Sequence, residues 1–323
     1  MTSATPNPAA MNIILSTSNI MGNGPSILAR NSSKSNAELT ASLRANFDSA
    51  NTSSRNSWTT QEDAKLLVPT PRPTPGLAED RDAYDITVKL FYLPHTPPTA
   101  RCQHTRDALQ CVLDELHITH VDLLIVSFPG ITFDADDESD DLEELTPNST
   151  VSGSTSPVTN GTSSTDLPTN DTPEHMDSVV RTYRTLEALH DAGVTRAIGL
   201  SEFGTQRLAH VLAAARIAPS VDQINVRDCC VVPRPLIVYA KEKKIELLTH
   251  NDCTDILPEG TLRELLGPGE TGAGVLAAKG SAVGPGLHGE VRPLWVVKYT
   301  AVVKNRGVVE NKGYFAAADL VPT

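Results

Sequence analysis

The feature that most constrains this chain is an alternation of short apolar runs with amphipathic stretches, sustained from residue 86 to residue 266. Residues 86–93, 121–127, 196–200, 221–225 and 245–249 read as strands. Residues 101–116, 176–192, 204–214, 233–243 and 260–266 read as the helices between them, the fourth opening on prolines that a first turn tolerates. Short apolar strands each followed by a helix imply a parallel sheet covered by helices. Residues 291–299 read as helical and 301–304 as extended, giving six β-α units. With two further strands hidden before residue 80, the count reaches an α/β fold of (β/α)8 TIM-barrel type. A doubly wound open sheet is the alternative, but no G-x-G-x-x-G follows a strand.

Composition divides the chain. Hydrophobic content of 39% and aromatic content of 4% are low for 323 residues, so part of the chain is expected to lie outside any core. Residues 1–80 are rich in Ser, Asn, Thr, Ala and Pro and read as a low-complexity N-terminal region. Within it "MNIILSTSNI" suits a first strand, and the spacing of Leu39, Leu43 and Phe47 suits a helix. The barrel proper is expected over 81–323, interrupted by an insertion at 134–173. That insertion is acidic at first, with eight acidic and no basic residues over 134–144, then Ser/Thr/Asn/Pro-rich. Such a composition does not offset the entropy of ordering and is expected to be disordered.

The net charge of −12 leaves no basic stripe to neutralise phosphates, which argues against a nucleic-acid partner. No run approaches the roughly 20 apolar residues of a membrane span. Five scattered cysteines (Cys102, Cys111, Cys229, Cys230, Cys253) suit a reducing compartment better than a disulfide framework, and a cytoplasmic location is expected.

Several of these runs carry a resemblance. "VDLLIVSFP", "TRAIGLSEF" and "PSVDQINV" are similar to strands of the aldo-keto reductases, and "AVVKNRGVVENKGY" is similar to the segment that holds the 2′-phosphate of NADPH in that family. The resemblance places Lys89 where the family has its catalytic lysine. It places Ser127 where a histidine orients the substrate carbonyl, and Glu202 where an asparagine holds the nicotinamide carboxamide. Ser201 and Gln223 are kept. No stretch in 1–85 matches the family's segment with the catalytic Asp and Tyr, and without that Tyr there is no placed acid to protonate an alkoxide. The reductase set is thus largely absent. Ser201, Gln223, Lys304 and Arg306 are what would support residual NADP binding; no cofactor is required.

A longer block, "PSVDQINVRDCCVVPRPLIVYAKEKKIELLTHNDCTDILP" with "PLWVVKYTAVVKNRGVVENKGY", resembles the regulatory (modifier, light-chain) subunits of glutamate–cysteine ligase. That resemblance implies a pseudoenzyme on a reductase-type barrel. Such a subunit forms a heterodimer with the ligase catalytic subunit, raises its glutamate affinity and relieves feedback inhibition by glutathione. A divergent NADP-dependent reductase and a cysteine-based redox sensor are the competing expectations.

Particular residues are open to two readings each. Cys229 and Cys230 suit either a redox-responsive or partner-contacting pair, or two small apolar residues buried after a strand. His250, Asn251 and Asp252 end the seventh strand of a barrel count, on the face where such barrels carry function. They suit either a partner-contacting site or a hydrogen-bonded rim. They are too few to hold a metal. Lys304 and Arg306 suit either a phosphate or a solvated basic edge. Lys89 requires a polar partner inside a barrel, and Glu202 is the expected one.

Overall fold

The structure is a computed structural model describing residues 11–22, 34–53, 59–62, 65–94, 96–133, 173–225, 232–269, 272–280 and 285–322. Cys229, Cys230 and nearly all of the 134–173 insertion lie outside these residues. The elements run β1 (Met11–Ser16), α1 (Ser35–Ser53), β2 (Thr60–Glu62), β3 (Lys65–Val68), β4 (Tyr84–Tyr92), α2 (Arg101–Leu116), β5 (Val121–Ser127), α3 (Pro173–Asp191), β6 (Thr195–Ser201), α4 (Thr205–Ala214), β7 (Val221–Asn225), α5 (Arg234–Lys243), β8 (Glu246–His250), α6 (Thr261–Leu266), β9 (Glu290–Val303) and β10 (Val308–Val321). No helix among them is long and apolar enough to cross a membrane.

From 84 to 266 the alternation is as the sequence reads, and local chemistry accounts for the boundaries. In α2 the buried positions 101, 105, 108, 109, 112, 113 and 116 fall at helical spacing. The helix stops at His117, whose left-handed backbone (φ 55°) lets its amide reach the carbonyls of Asp114 and Leu113. β4 to β8 pair in parallel and in sequence order. The start of β5 is clamped by Asp122, which accepts the Ile86 amide at 2.7 Å and pairs with Arg81 at 2.8 Å and Arg196 at 2.9 Å.

The expected α/β architecture is present, but its sheet is neither eight-stranded nor all parallel. Ten strands run in the order β2-β3-β1-β10-β9-β4-β5-β6-β7-β8, and no pairing among the described residues joins β8 to β2. The 291–299 stretch expected as helix is the first half of β9, which forms a long antiparallel hairpin with β10. Asn305-Arg306-Gly307 supplies the turn, with Gly307 left-handed at φ 60°. This hairpin lies between β4 and β1. β1 and β3, from the region set apart as 1–80, are therefore built into the same sheet as the rest.

Both faces of the sheet are covered. Ile86, Val88, Leu90 and Tyr92 of β4, with Trp295, Val297 and Tyr299 of β9, pack against α2 to α5. On the other face Phe91, Val296, Tyr314, Ala316, Ile13 and Leu15 pack against α1 and α6. That second face is concave. Gln223 of β7 and Asp252 beyond β8 line one cavity with Thr87 and Lys89 of β4 and Lys298 and Thr300 of β9, which requires the parallel strands to curl.

Candidate functional site

The concave face carries a chain of charged side chains. Lys89 is only 4% exposed, and its Nζ bonds Asp252 Oδ2 at 3.1 Å. Lys298, its register partner on β9, bonds Asp252 Oδ1 at 2.8 Å. The two ammonium groups thus share one buried carboxylate. Lys89 also stands 5.1 Å from the centre of the Phe91 ring, a cation–π contact. Burial alone would raise the Asp252 carboxyl, but Lys298 and Lys89 override it and hold the group well below the usual carboxylate range. Burial lowers Lys89, and Asp252 offsets only part of that effect.

A second pair borders the first. His250 Nε2 lies 2.6 Å from Glu202 Oε1. Its Nδ1 accepts the Asp252 amide at 3.2 Å, which fixes Nε2 as the nitrogen that donates to Glu202. Ser201 Oγ stands 3.4 Å from the same nitrogen. Glu202 sits in a left-handed backbone (φ 70°) at the turn out of β6, unusual for a residue of its size. Its amide donates to the Gln223 carbonyl at 2.8 Å, and its Oε2 accepts the Phe133 amide at 3.1 Å. Such a conformation persists only where its surroundings over-determine it, and these bonds do so.

The expected Lys89–Glu202 pair is therefore replaced by Lys89–Asp252, with Glu202 taken by His250. Asp252 lies in the loop after β8, so no strand alignment could point to it. Asp252 and His250 belong to the buried charge chain; Asn251 between them is exposed. Ser127 is half-buried at the end of β5, beside Phe91 in register. Ser201 and Gln223 are register partners on β6 and β7, and both are close to the chain.

Lys304 and Arg306 are elsewhere. They occupy the β9–β10 turn, at the N-terminal end of β4. There Lys304 donates to the Asp82 carbonyl at 3.1 Å and pairs with Asp85 at 3.5 Å, and Arg306 pairs with Glu79. Ser201 ends β6 toward the opposite, C-terminal edge, and Gln223 is its register partner on β7. The four residues expected to hold NADP are thus split between two ends of the sheet. The basic two face carboxylates, and the Glu202 carboxylate is bound to His250.

Sequence reasoning missed Lys298 because its strand was read as helix. It also missed a third cluster, in which Tyr314 Oη donates to Glu38 Oε1 at 2.6 Å and Lys312 Nζ bonds the same carboxylate at 2.6 Å. Tyr314 is the tyrosine on the concave face among the described residues. Burial and the Glu38 carboxylate both raise its pKa, the opposite of what a proton donor at neutral pH requires.

The human glutamate–cysteine ligase regulatory subunit is 26% identical over 240 residues, 74% of this chain and 68% of that protein. The regulatory subunit of Rattus norvegicus is 33% identical over 133 residues, 41% of this chain and 44% of that protein. A Bombyx mori aldo-keto reductase solved in complex with NADP aligns at 15% identity with a TM-score of 0.32. It covers 67% of this chain, which spans half of that structure, and no residue correspondence is drawn from it. The description "Aldo/keto reductase family" matches residues 74–252, more than half of the chain, and the chain belongs to that family.

Proposed function

We propose that this chain is a non-catalytic regulatory subunit that binds the glutamate–cysteine ligase catalytic subunit in the cytosol as a heterodimer. In this reading it raises the partner's affinity for glutamate and relieves feedback inhibition by glutathione. The observation that carries it is homology across three quarters of the chain to proteins named as that regulatory subunit.

The geometry supports the absence of reductase chemistry in this reading. A reductase lysine has to tune a nearby tyrosine, whereas the concave-face tyrosine, Tyr314, donates to Glu38. Regulation of a partner's affinity requires differential binding to two of its conformations. Cys229, Cys230 and the exposed Asn251 are proposed as residues at or near that contact.

The test is size-exclusion chromatography of the chain mixed with the catalytic subunit, alongside NADPH oxidation with a panel of aldehydes. A co-eluting complex and no turnover are expected. Separate elution, or NADPH-dependent carbonyl reduction, would contradict the reading. Persistence of the complex in the Cys229→Ser/Cys230→Ser variant would remove those cysteines from the contact without touching the rest.

A further inference from the structure

The sheet ends on a strand with one open edge. β8 stands last in the strand order and pairs with β7 alone among the described residues. None of its five residues is buried, whereas five of seven are buried in β6, on the other side of β7. Parallel strands are ordinarily covered on both faces and form buried runs. Here Leu247 and Leu248 are each left half-buried. An edge of this kind presents a row of backbone N–H and C=O groups that a further strand can pair.

The helix beside that edge carries a second observation. α5 is the last helix on its face of the sheet, since α6 packs on the other. Leu236 and Ala240 anchor it in the core, and Tyr239 packs on the same cluster. Arg234, Ile237, Val238 and Lys241 recur at i, i+3, i+4 and i+7, and all four are exposed. They form one stripe turned from the core, apolar in its middle and basic at both ends. Ile237 is 46% and Val238 55% exposed, two of the three large exposed hydrophobics among the described residues. The fold itself gives these two β-branched side chains nothing to pack on.

Charge selects the occupant. Residues 234–244 hold four basic side chains and one acidic, Glu242, in a chain whose net charge is −12. Glu242 pairs with its neighbour Lys243 at 3.1 Å, and Arg234, Lys241 and Lys244 have no ion pair among the described residues. A two-fold contact with a second copy would set this basic stripe against itself, and like charges so placed oppose association. An acidic partner is attracted by all three. The surface also adjoins in sequence the residues already proposed near the catalytic subunit: Cys229 and Cys230 precede α5, and Asn251 follows β8.

We propose that the ligase catalytic subunit docks here, adding an extended acidic segment to the outer edge of β8 and covering Ile237 and Val238. Main-chain hydrogen bonds to β8 supply affinity, aliphatic side chains of the segment meet Leu247 and α5, and its carboxylates meet Arg234, Lys241 and Lys244. This docking mode rests on the regulatory reading above and gives it a surface.

The test titrates the full-length chain into the purified catalytic subunit by calorimetry and follows amide hydrogen exchange in the complex. Val238→Glu and Lys241→Glu are each expected to weaken binding about tenfold, the scale of one interface anchor lost. Lys241→Glu is also expected to reduce the salt dependence of binding. Both positions are exposed, so unchanged thermal melting is expected and the losses are read on folded protein. Amides of 246–250 are expected to exchange more slowly in the complex, with those of β5 unchanged. A complex that both variants form with wild-type affinity, or one that leaves exchange across 246–250 unaltered, would overturn this surface and leave the regulatory reading standing. Failure of the wild-type chain to bind would overturn both. Self-association of the chain alone that Val238→Glu abolishes would reassign the edge to a second copy.

Discussion

Asp252 holds two ammonium groups on one buried carboxylate, and its removal leaves both without a counter-charge. Breaking a buried ion pair by deleting one partner costs about 3–5 kcal/mol, because the surviving charge stays desolvated. Asp252→Asn is expected to lower the unfolding free energy in urea by that amount. The pH dependence follows from the depressed carboxyl. A group whose pKa falls on folding stabilises the fold above its unfolded value of about 3.9 and loses that contribution as pH drops through the lower folded value. The native protein is therefore expected to lose stability below about pH 4 along a slope that Asp252→Asn flattens. Equal slopes would show that the lysines do not hold Asp252 ionised. The place of Lys89 on a buried strand was legible in the sequence. Its partner was not, because Asp252 comes from a loop and Lys298 from a strand read as a helix.

That misreading has a physical cause at the scale of elements. Trp295 and Val297 face α2 to α5 while Val296 faces α1 and α6, so the run from Leu294 to Val297 is apolar on both faces. A strand covered on both sides shows no period of two and cannot be told from a buried helix by periodicity. The N-R-G turn at 305–307 between β-branched runs was the available hairpin signal. By contrast α2, β5 and β7 have an apolar pattern and flanking breakers that agree, and their boundaries were legible. The α1 helix depends on a contact no local pattern reveals, the Glu38 carboxylate bound by Lys312 and Tyr314 of β10. Glu38→Ala leaves a buried phenol without its acceptor and is expected to cost about 1–3 kcal/mol. The loss is expected to be local, with faster amide exchange across 35–53 and little change in β5 to β7. Uniform acceleration through the sheet would contradict a docking role for that cluster.

Across the whole molecule, the antiparallel hairpin joins what the parallel strands alone do not. β10 pairs with β1 and β9 pairs with β4, so the C-terminal residues bridge the N-terminal strands to the reductase-like strands. Deleting residues 305–323 is expected to abolish the cooperative thermal transition, since β1 loses its antiparallel partner and β9 one of its two. A sharp transition in the truncated chain would mean that the parallel strands fold alone. The sequence made the α/β class and the order of the central strands legible. It did not reveal how 1–80 and 290–321 meet, because that pairing is long-range and rests on no local motif.

The role proposed for this fold is action on a partner enzyme. Its most direct test is the glutamate saturation curve of the ligase catalytic subunit, measured with and without a stoichiometric amount of this chain, at fixed cysteine and ATP, and repeated with glutathione present. A lower KM for glutamate and weaker inhibition by glutathione are expected when the chain is added. Superimposable curves under both conditions would contradict it.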